Sequence, residues 1–317
     1  MKKKFLFTLS LVLAGIMLIQ PSVFGGAWTT PKNHLWFEIY NKYAFANDYF
    51  NSDGDQIPLG YDYANDIDKG AEWWAYDFEV KTEYGLADWM NLLVGVSYER
   101  AKYKEHARPT SWGPYSVDSS GIKYVTVGGK FRAIEAPLVV SFQVLGYISN
   151  FDLKKTNPLI GKNDSKLELK ILLGKSYKLG RMPAYSGFET GYRFRGFDEV
   201  ADDIPLFFET GVVLTDHFMM TGEIDTWLSK DRGGRDRESS MTVRGGLIFS
   251  PSGQFNQFRK GTNHFNIAVQ GGSKVWGLNT NASWEVIVKF SAQFDIPGFV
   301  DSIGTENHEN TREISHS

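Results

Sequence analysis

The chain has 317 residues, a formal net charge of −3, no cysteine and an aromatic share of 15%. The lack of cysteine excludes a disulfide scaffold, a cysteine nucleophile and lipid attachment through a thiol. The acidic balance argues against nucleic-acid binding by charge alone.

The first element in chain order is an export signal. Lys2, Lys3 and Lys4 precede an apolar run from Phe5 to Ile19, which ends at Pro21 before small residues. This pattern predicts a secretory signal peptide over residues 1–25, with a mature chain that starts near Gly26 or Ala27. An uncleaved helical anchor is the weaker alternative, because the run is shorter than a membrane span and a proline follows it.

No later stretch contains eighteen uncharged apolar residues, so the mature chain is either soluble or a membrane barrel. Its segments alternate strictly. Between Trp74 and Tyr84, aromatic and aliphatic residues occupy one parity, whereas Asp77, Glu79, Lys81 and Glu83 occupy the other. A strand with this pattern presents one apolar and one charged face. In a soluble sandwich the apolar face is inside, whereas in an outer-membrane barrel it meets lipid.

About twelve such segments follow one another after Gly26, without a convincing amphipathic helix between them. They are Leu35–Phe45, Trp74–Tyr84, Leu92–Glu99, Tyr124–Phe131, Pro137–Ser149, Lys166–Leu173, Phe188–Phe194, Phe208–Leu214, Met220–Leu228, Val243–Phe249, Phe265–Gln270 and Trp284–Phe294.

The connections alternate in length, as in bacterial barrels with long outer loops and short periplasmic turns. Odd-numbered segments are followed by the longer connections Asn47–Gly70, Lys104–Gly121, Asn150–Asp164, Gly196–Pro205, Lys230–Ser240 and Gly272–Ala282. Even-numbered segments are followed by tight ones, except for Ser250–Asn263, which breaks the rule. These features predict an all-β fold: a transmembrane, antiparallel, up-and-down β-barrel of about 12 strands over residues 26–294. Residues 295–317 are expected to form a flexible periplasmic tail.

Charged residues on the inner parity are the candidate functional residues. The pore-lining candidates are Glu38, Lys42, Asp77, Glu79, Lys81, Glu83, Glu168, Lys170, Glu189, Arg193, Glu223, Asp225, Arg244, Glu285 and Lys289. Acids outnumber bases on this parity, which favours a water-filled channel with a modest preference for cations. The alternative is a sealed barrel whose paired charges only stabilise it, with outer loops that bind a partner.

Other chemistry has weaker support. The loop sequence NSDGD at Asn51–Asp55 lacks the twelve-residue spacing of an EF-hand, and KDRGGRDRE at Lys230–Glu238 is better explained as a solvated hairpin tip. An outer-membrane hydrolase would need a histidine beside a serine. The six histidines fall in loops, turns, strand ends or the tail: His34, His106, His217, His264, His308 and His316. We therefore expect no enzyme, no cofactor and no metal site.

Three motifs carry a family resemblance. The chain reads GAWTTPKNHLWFEIYNKY from Gly26, DYFNSDGDQIPL in the first outer loop and YGLADWMNL at the first turn. These resemble the outer-membrane β-barrels of the MetA-pathway-of-phenol-degradation, transporter-like family, although Asn33 stands where members usually have glycine. The resemblance covers residues 26–95. It implies an outer-membrane barrel that transports small hydrophobic or aromatic compounds, and it implies no catalytic residue.

Taken together, the sequence predicts a porin-like channel in the outer membrane of a Gram-negative cell, through which small solutes pass passively. The expected partners are outer-membrane lipid, lipopolysaccharide and a small-molecule solute, with no nucleic acid.

Overall fold

We describe a computed structural model of the chain over residues 26–62, 67–68, 70–106, 115–149, 165–195, 201–230, 238–253, 255 and 264–296. The predicted signal peptide, residues 1–25, lies outside these ranges, as does the tail beyond residue 296. No helix of a length and hydropathy that could cross a membrane occurs within these ranges.

The described residues form an all-β structure. Its strands are β1 (His34–Phe50), β2 (Gln56–Pro58), β3 (Tyr61–Asp62), β4 (Ile67–Asp68), β5 (Ala71–Ala87), β6 (Met90–Glu105), β7 (Tyr115–Ile134), β8 (Val139–Ile148), β9 (Lys166–Leu179), β10 (Met182–Arg195), β11 (Asp203–Val213), β12 (Phe218–Ser229), β13 (Ser239–Phe249), β14 (His264–Leu278) and β15 (Thr280–Asp295). The three short strands β2, β3 and β4 belong to the first outer loop.

Twelve of the described strands, β1 and β5 to β15, close into a barrel. Each pairs antiparallel with its sequence neighbours, and β15 pairs with β1 from His34↔Asp295 to Phe50↔Thr280. Closure leaves no unpaired barrel edge, which is the condition for a sheet to span lipid. The predicted fold class and strand number are confirmed.

The apolar parity of each strand forms the outer surface. On β6, for example, Leu92, Val94 and Val96 are each more than 40% exposed, whereas the alternating Asn91 and Ser97 are buried. Because a hydrocarbon belt of this kind is stable only against lipid, the protein is a membrane barrel and its place is the outer membrane.

Aromatic residues flank the belt at both ends. At the outer end Tyr43 and Phe45 lie 6.1 and 5.8 Å from the ring of Trp284. At the periplasmic end Trp89 packs 6.5 Å from Phe131. Such girdles are typical of the two membrane interfaces.

The long connection predicted at Ser250–Asn263 is confirmed, because β13 ends at Phe249 and β14 starts at His264. The predicted outer loop Gly272–Ala282 is wrong: β14 continues to Leu278, and only Asn279 separates it from β15. Asn279 has a φ of 50°, which lets the chain reverse in a tight turn. The outer end of this hairpin lies above the belt, where either face can meet water, so the alternation that marks a strand fades there. The outer loops that were predicted to end at Gly121 and Pro205 are also shorter than expected, because β7 already starts at Tyr115 and β11 at Asp203.

Asn33 stands where the family that the sequence resembles usually has glycine. Its φ is 63°, in the left-handed region where glycine is the usual residue and asparagine is well tolerated. Either residue therefore suits the backbone at this position.

Candidate functional site: the charged lumen

The inner face of the wall carries all fifteen pore-lining candidates, each on the parity opposite the lipid belt. They form four groups of contacts: Glu223, Asp225, Arg244, Glu285 and Lys289; Lys42 and Asp77; Glu168, Lys170, Glu189 and Arg193; and Glu38, Glu79, Lys81 and Glu83 around the first strands. Their part in solute passage is a proposal that is made below.

The first group joins strands that are not neighbours in the barrel wall. Lys289 Nζ donates to Glu223 Oε1 at 3.3 Å, although β15 and β12 are three positions apart around the barrel. Arg244 lies between them, donates to Asp225 Oδ2 at 3.0 Å and to Glu285, and approaches Glu223 Oε2 at 3.6 Å. Two cations thus neutralise most of the charge of three carboxylates. Buried charges need such partners, because desolvation of an unpaired charge is costly.

A second group lies on β1, β5, β6 and β7. Lys42 Nζ is 2.6 Å from Asp77 Oδ2, while Lys123 Nζ is 3.1 Å from Asp77 Oδ1 and 2.6 Å from Glu99 Oε2. Each carboxylate therefore faces at least one ammonium group.

A third group surrounds Glu168, whose side chain is fully buried. Its carboxylate accepts from Arg193 Nε at 2.6 Å and lies 3.1 Å from Lys170 Nζ. Lys170 also pairs with Glu189 at 3.2 Å. Further toward the outside, Arg195 donates to Asp203.

Around the first strands, lysines combine ion pairs with aromatic contacts. Lys81 Nζ is 3.2 Å from Glu79 Oε2 and 5.4 Å from the ring centre of Tyr40; Lys289 approaches the same ring at 5.9 Å. Glu38 pairs in register with Lys81. Cations over a tyrosine ring are stabilised by its quadrupole.

Several lumen residues were missed from the sequence. Lys123 points inward because the β6–β7 register shifts between Ser97 and Tyr98, so that a parity count through β7 fails there. Trp73 and Trp227 share the parity of Asp77 and Asp225, but the sequence analysis did not single them out because only charged residues were sought.

The N-terminal segment, Gly26–Asn33, lies inside the barrel at its periplasmic end. Ser141 Oγ donates to the carbonyl of Ala27 at 2.5 Å, and Trp28 packs edge-on against Tyr185 at 6.4 Å. Thr29 Oγ1 donates to the carbonyl of Asp88 at 2.6 Å. The segment thus runs from the β8–β10 wall to the first periplasmic turn and narrows the opening between them.

Two wall glycines make room for this segment. A Cβ at Gly174 would lie 2.6 Å from the ring of Trp28, and one at Gly85 would lie 2.0 Å from the carbonyl oxygen of Pro31. A Cβ added at Gly26 itself would lie 1.9 Å from Glu189 Oε1. Close backbone approach is therefore built into both the segment and the wall.

The long periplasmic connection also reaches inward. Phe255 is 3% exposed and packs in a cluster with Tyr185, Val213 and Met219, against which Trp28 also packs. Its backbone N–H donates to the carbonyl of Asp216 at 3.3 Å. This cluster, together with the N-terminal segment, makes the periplasmic end of the lumen more apolar than its middle.

The outer half of the lumen contains a cavity of about 90 Å³. Its lining includes two aromatic residues, Trp73 and Trp227, and the cations Lys42, Arg244 and Lys274. We call this space the outer cavity.

Outside the lumen the acidic loop forms a local turn. Asn51 Oδ1 accepts from the backbone N–H groups of Asp53 and Asp55 at 2.9 and 2.8 Å, so its side chain closes the turn. Among the described residues no group of three or more potential ligands is placed to hold a metal ion. In the predicted hairpin tip Lys230–Glu238, residues 231–237 lie outside the described ranges.

A hydrolase would need a histidine whose ring nitrogen lies beside a serine hydroxyl. His217 Nδ1 lies 2.9 Å from the backbone carbonyl of Ser250, and His106 Nε2 lies 3.1 Å from Glu72 Oε1. His34 Nδ1 lies 3.0 Å from the carbonyl of Lys32. None of these three contacts is the histidine–hydroxyl pair of a catalytic serine. His308 and His316 fall outside the described ranges.

A closed antiparallel barrel with hydrocarbon outside and paired charges inside is an outer-membrane β-barrel. Among solved structures, the chain is similar to the COG4313 outer membrane channel from Pseudomonas putida F1, with a TM-score of 0.61 at 12% identity over 87% of this chain and 100% of that one. At this identity the likeness shows the fold alone.

Other solved barrels match more loosely. The translocator domain of the autotransporter NalP from Neisseria meningitidis has a TM-score of 0.39 at 6% identity, over 92% of this chain and 95% of that one. A Pseudomonas aeruginosa FadL homologue has a TM-score of 0.37 at 9% identity, over 83% and 90%. These scores are too low to support an argument. Neither a protein-family model nor a curated protein matches the chain.

Proposed function

We propose that the protein is a narrow outer-membrane channel for passive passage of small solutes. The observation that carries the proposal is the continuous polar inner face, which runs from the outer cavity through the paired charges at mid-barrel to Lys130, Glu83 and Asn91 near the periplasmic end. Charged walls let hydrated solutes cross a hydrocarbon layer, and they are not required by a barrel that only holds its shape.

The proposed pore-lining residues are the fifteen candidates. Their charges are largely paired, and two inward cations that the acidic count omitted, Lys123 and Lys274, reduce the acidic excess, whereas Arg195 is balanced by Asp203. We therefore replace the expected cation preference by weak charge selectivity. The resemblance to the phenol-degradation family supports small aromatic or hydrophobic compounds as cargo, with lipid and lipopolysaccharide around the barrel and no catalytic role.

One observation favours a sealed structural barrel as the second candidate. The Lys289–Glu223 contact joins strands three positions apart inside the lumen, and the N-terminal segment narrows the periplasmic end. Within the described ranges these obstructions are side chains and one short segment, which can move without any change to the barrel wall.

Conductance tests the proposal. The purified protein in a planar lipid bilayer should give discrete current steps, with a larger step when the Lys289–Glu223 contact is removed by Lys289→Gln with Glu223→Gln. The matched control is Arg100→Gln with Asp118→Asn, which removes an ion pair of 2.6 Å outside the lumen and should leave the step unchanged. Silent bilayers, both for the wild type and for a variant without residues 26–32, would contradict a channel and favour the sealed barrel.

A further inference from the structure

We infer that the outer cavity is a binding site for a small aromatic carboxylate, an inference that rests on the proposed channel. Trp73 on β5 and Trp227 on β12 line the same space although their strands are five positions apart around the twelve-stranded barrel. The two indoles thus approach the cavity from different sides of the barrel. A solute in this space lies beside both of them and beside the ion pair of Arg244 and Glu285, which also lines it.

The lining of the outer cavity carries two carboxylates, Asp225 and Glu285, besides its three cations. Lys42 is neutralised by Asp77, and Arg244 by Asp225 and Glu285. Lys274 differs from these two cations because its hydrogen-bond partner is a neutral hydroxyl.

Lys274 Nζ donates to the hydroxyl of Thr280 at 2.7 Å and forms no ion pair with a carboxylate in the described part of the chain. Glu238 lies one hydroxyl further away, where its Oε1 accepts from Thr280 Oγ1 at 3.3 Å. A hydroxyl leaves the charge of the ammonium group in place, so Lys274 is the group in the cavity that can take an anion.

The shape and chemistry of the lining define the rest of the ligand. Two indole rings favour a flat apolar body, since aromatic pairs gain from stacked and edge-on contacts. The volume of about 90 Å³ is well below the ~150 Å³ of a cavity that holds benzene, so a single ring is the largest body this space can take, and the side chains around it must move to admit it. A carboxylate on the ring would accept from Lys274.

Calorimetric titration of the full-length mature protein in detergent with benzoate tests the site. Benzoate should bind, whereas benzylammonium should not, and acetate should bind at least tenfold more weakly. Lys274→Met should weaken benzoate binding about tenfold or more, as expected for loss of a charge-assisted hydrogen bond. The matched control is Lys178→Met at an exposed periplasmic turn, which should change nothing.

Two further variants separate the ring from the charge. Trp227→Leu should weaken benzoate but leave acetate unchanged, and Glu238→Gln should strengthen benzoate by removing a competing carboxylate. Each variant is first checked for the heat-modifiable gel mobility of a folded barrel. Equal benzoate binding by wild type and Lys274→Met, or equal binding of benzoate and benzylammonium, would overturn the site.

The outcomes for the site and for the channel are distinguishable. Current steps without benzoate binding overturn the aromatic-anion site and leave the channel standing. Benzoate binding that depends on Lys274, in a protein that stays silent in bilayers, supports the site and overturns the channel.

Discussion

Gly174 offers the sharpest test of the docked N-terminal segment. In Gly174→Ala the new Cβ would lie 2.6 Å from the ring of Trp28 and 2.9 Å from Ala27 Cβ, whereas ordinary contacts start at 3.4 Å. The segment must therefore move by ~0.8 Å or leave its site. Overpacking of this kind costs about 1–3 kcal/mol. If that cost falls on the docked state, the undocked population rises by about 5–150-fold.

Limited trypsin digestion measures that population. Lys32 lies in the segment, and its cleavage is followed by mass spectrometry of the N-terminal fragment. When docking and undocking are fast relative to cleavage, the rate follows the undocked population, so it should rise by the same factor. Single-channel recordings of Gly174→Ala should show larger or more frequent openings.

Gly187→Ala is the matched control. Gly187 faces Gly174 directly on the neighbouring strand, yet a Cβ there has only the carbonyl oxygen of Leu173 nearby, at 3.9 Å. It carries the same glycine-to-alanine change in backbone freedom without the overlap. If both variants are cleaved at Lys32 at the wild-type rate and conduct alike, the reasoning about the seated segment is refuted.

Three further predictions concern residues of the barrel wall. Glu168→Ala should destabilise the barrel by about 3 kcal/mol in urea unfolding from lipid vesicles, because it removes the 2.6 Å partner of buried Arg193 and one of the two carboxylates that face Lys170. Glu135→Ala, at a residue whose side chain is 74% exposed, should change stability by less than about 0.5 kcal/mol, and equal effects of the two variants would contradict the assignment. Val96→Arg on the lipid face should cost about 2–4 kcal/mol in the same assay, and a neutral result would place β6 differently in the bilayer. At the outer end of the β6–β7 hairpin, the hydrogen bond from Arg100 lowers the pKa of Asp118. The ion pair therefore contributes to local stability above the ordinary aspartate pKa, and this contribution is lost as the pH falls through the lowered pKa. In Arg100→Met, carbon-detected NMR titration should show the pKa of Asp118 back at its ordinary value.

The alternation of apolar and polar residues predicted the barrel wall correctly, because side chains that face lipid must be apolar. Phe142 and Val269, on the apolar parity of their predicted segments, are exposed, while Glu168 and Glu223, on the charged parity, are buried. The prediction failed where that constraint ends. Above the membrane both faces of a strand meet water, and this is why the β14–β15 hairpin was mistaken for a loop.

Contacts between distant parts of the chain were beyond the sequence. The bulge that turns Lys123 inward has no local signal, since it is defined by the register of β7 against β6. The seat of Trp28 is formed by residues more than a hundred positions away, including Ser141 and Gly174. The motif around Ala27 carried a family resemblance, but nothing in it shows that the segment folds into the lumen.

The way the periplasmic end is narrowed bears on whether the barrel is a channel. If a permanent seal were needed, larger residues at Gly85 and Gly174 would fill the space from the wall itself. These glycines instead keep room for a separate segment, which is held by Trp28 and by a few hydrogen bonds such as Ser141 to Ala27. Those contacts can break while every backbone hydrogen bond between the barrel strands stays intact. Undocking of the N-terminal segment would therefore break side-chain contacts but no pairing between barrel strands. This favours a channel whose periplasmic end is narrowed, rather than a barrel that is permanently sealed.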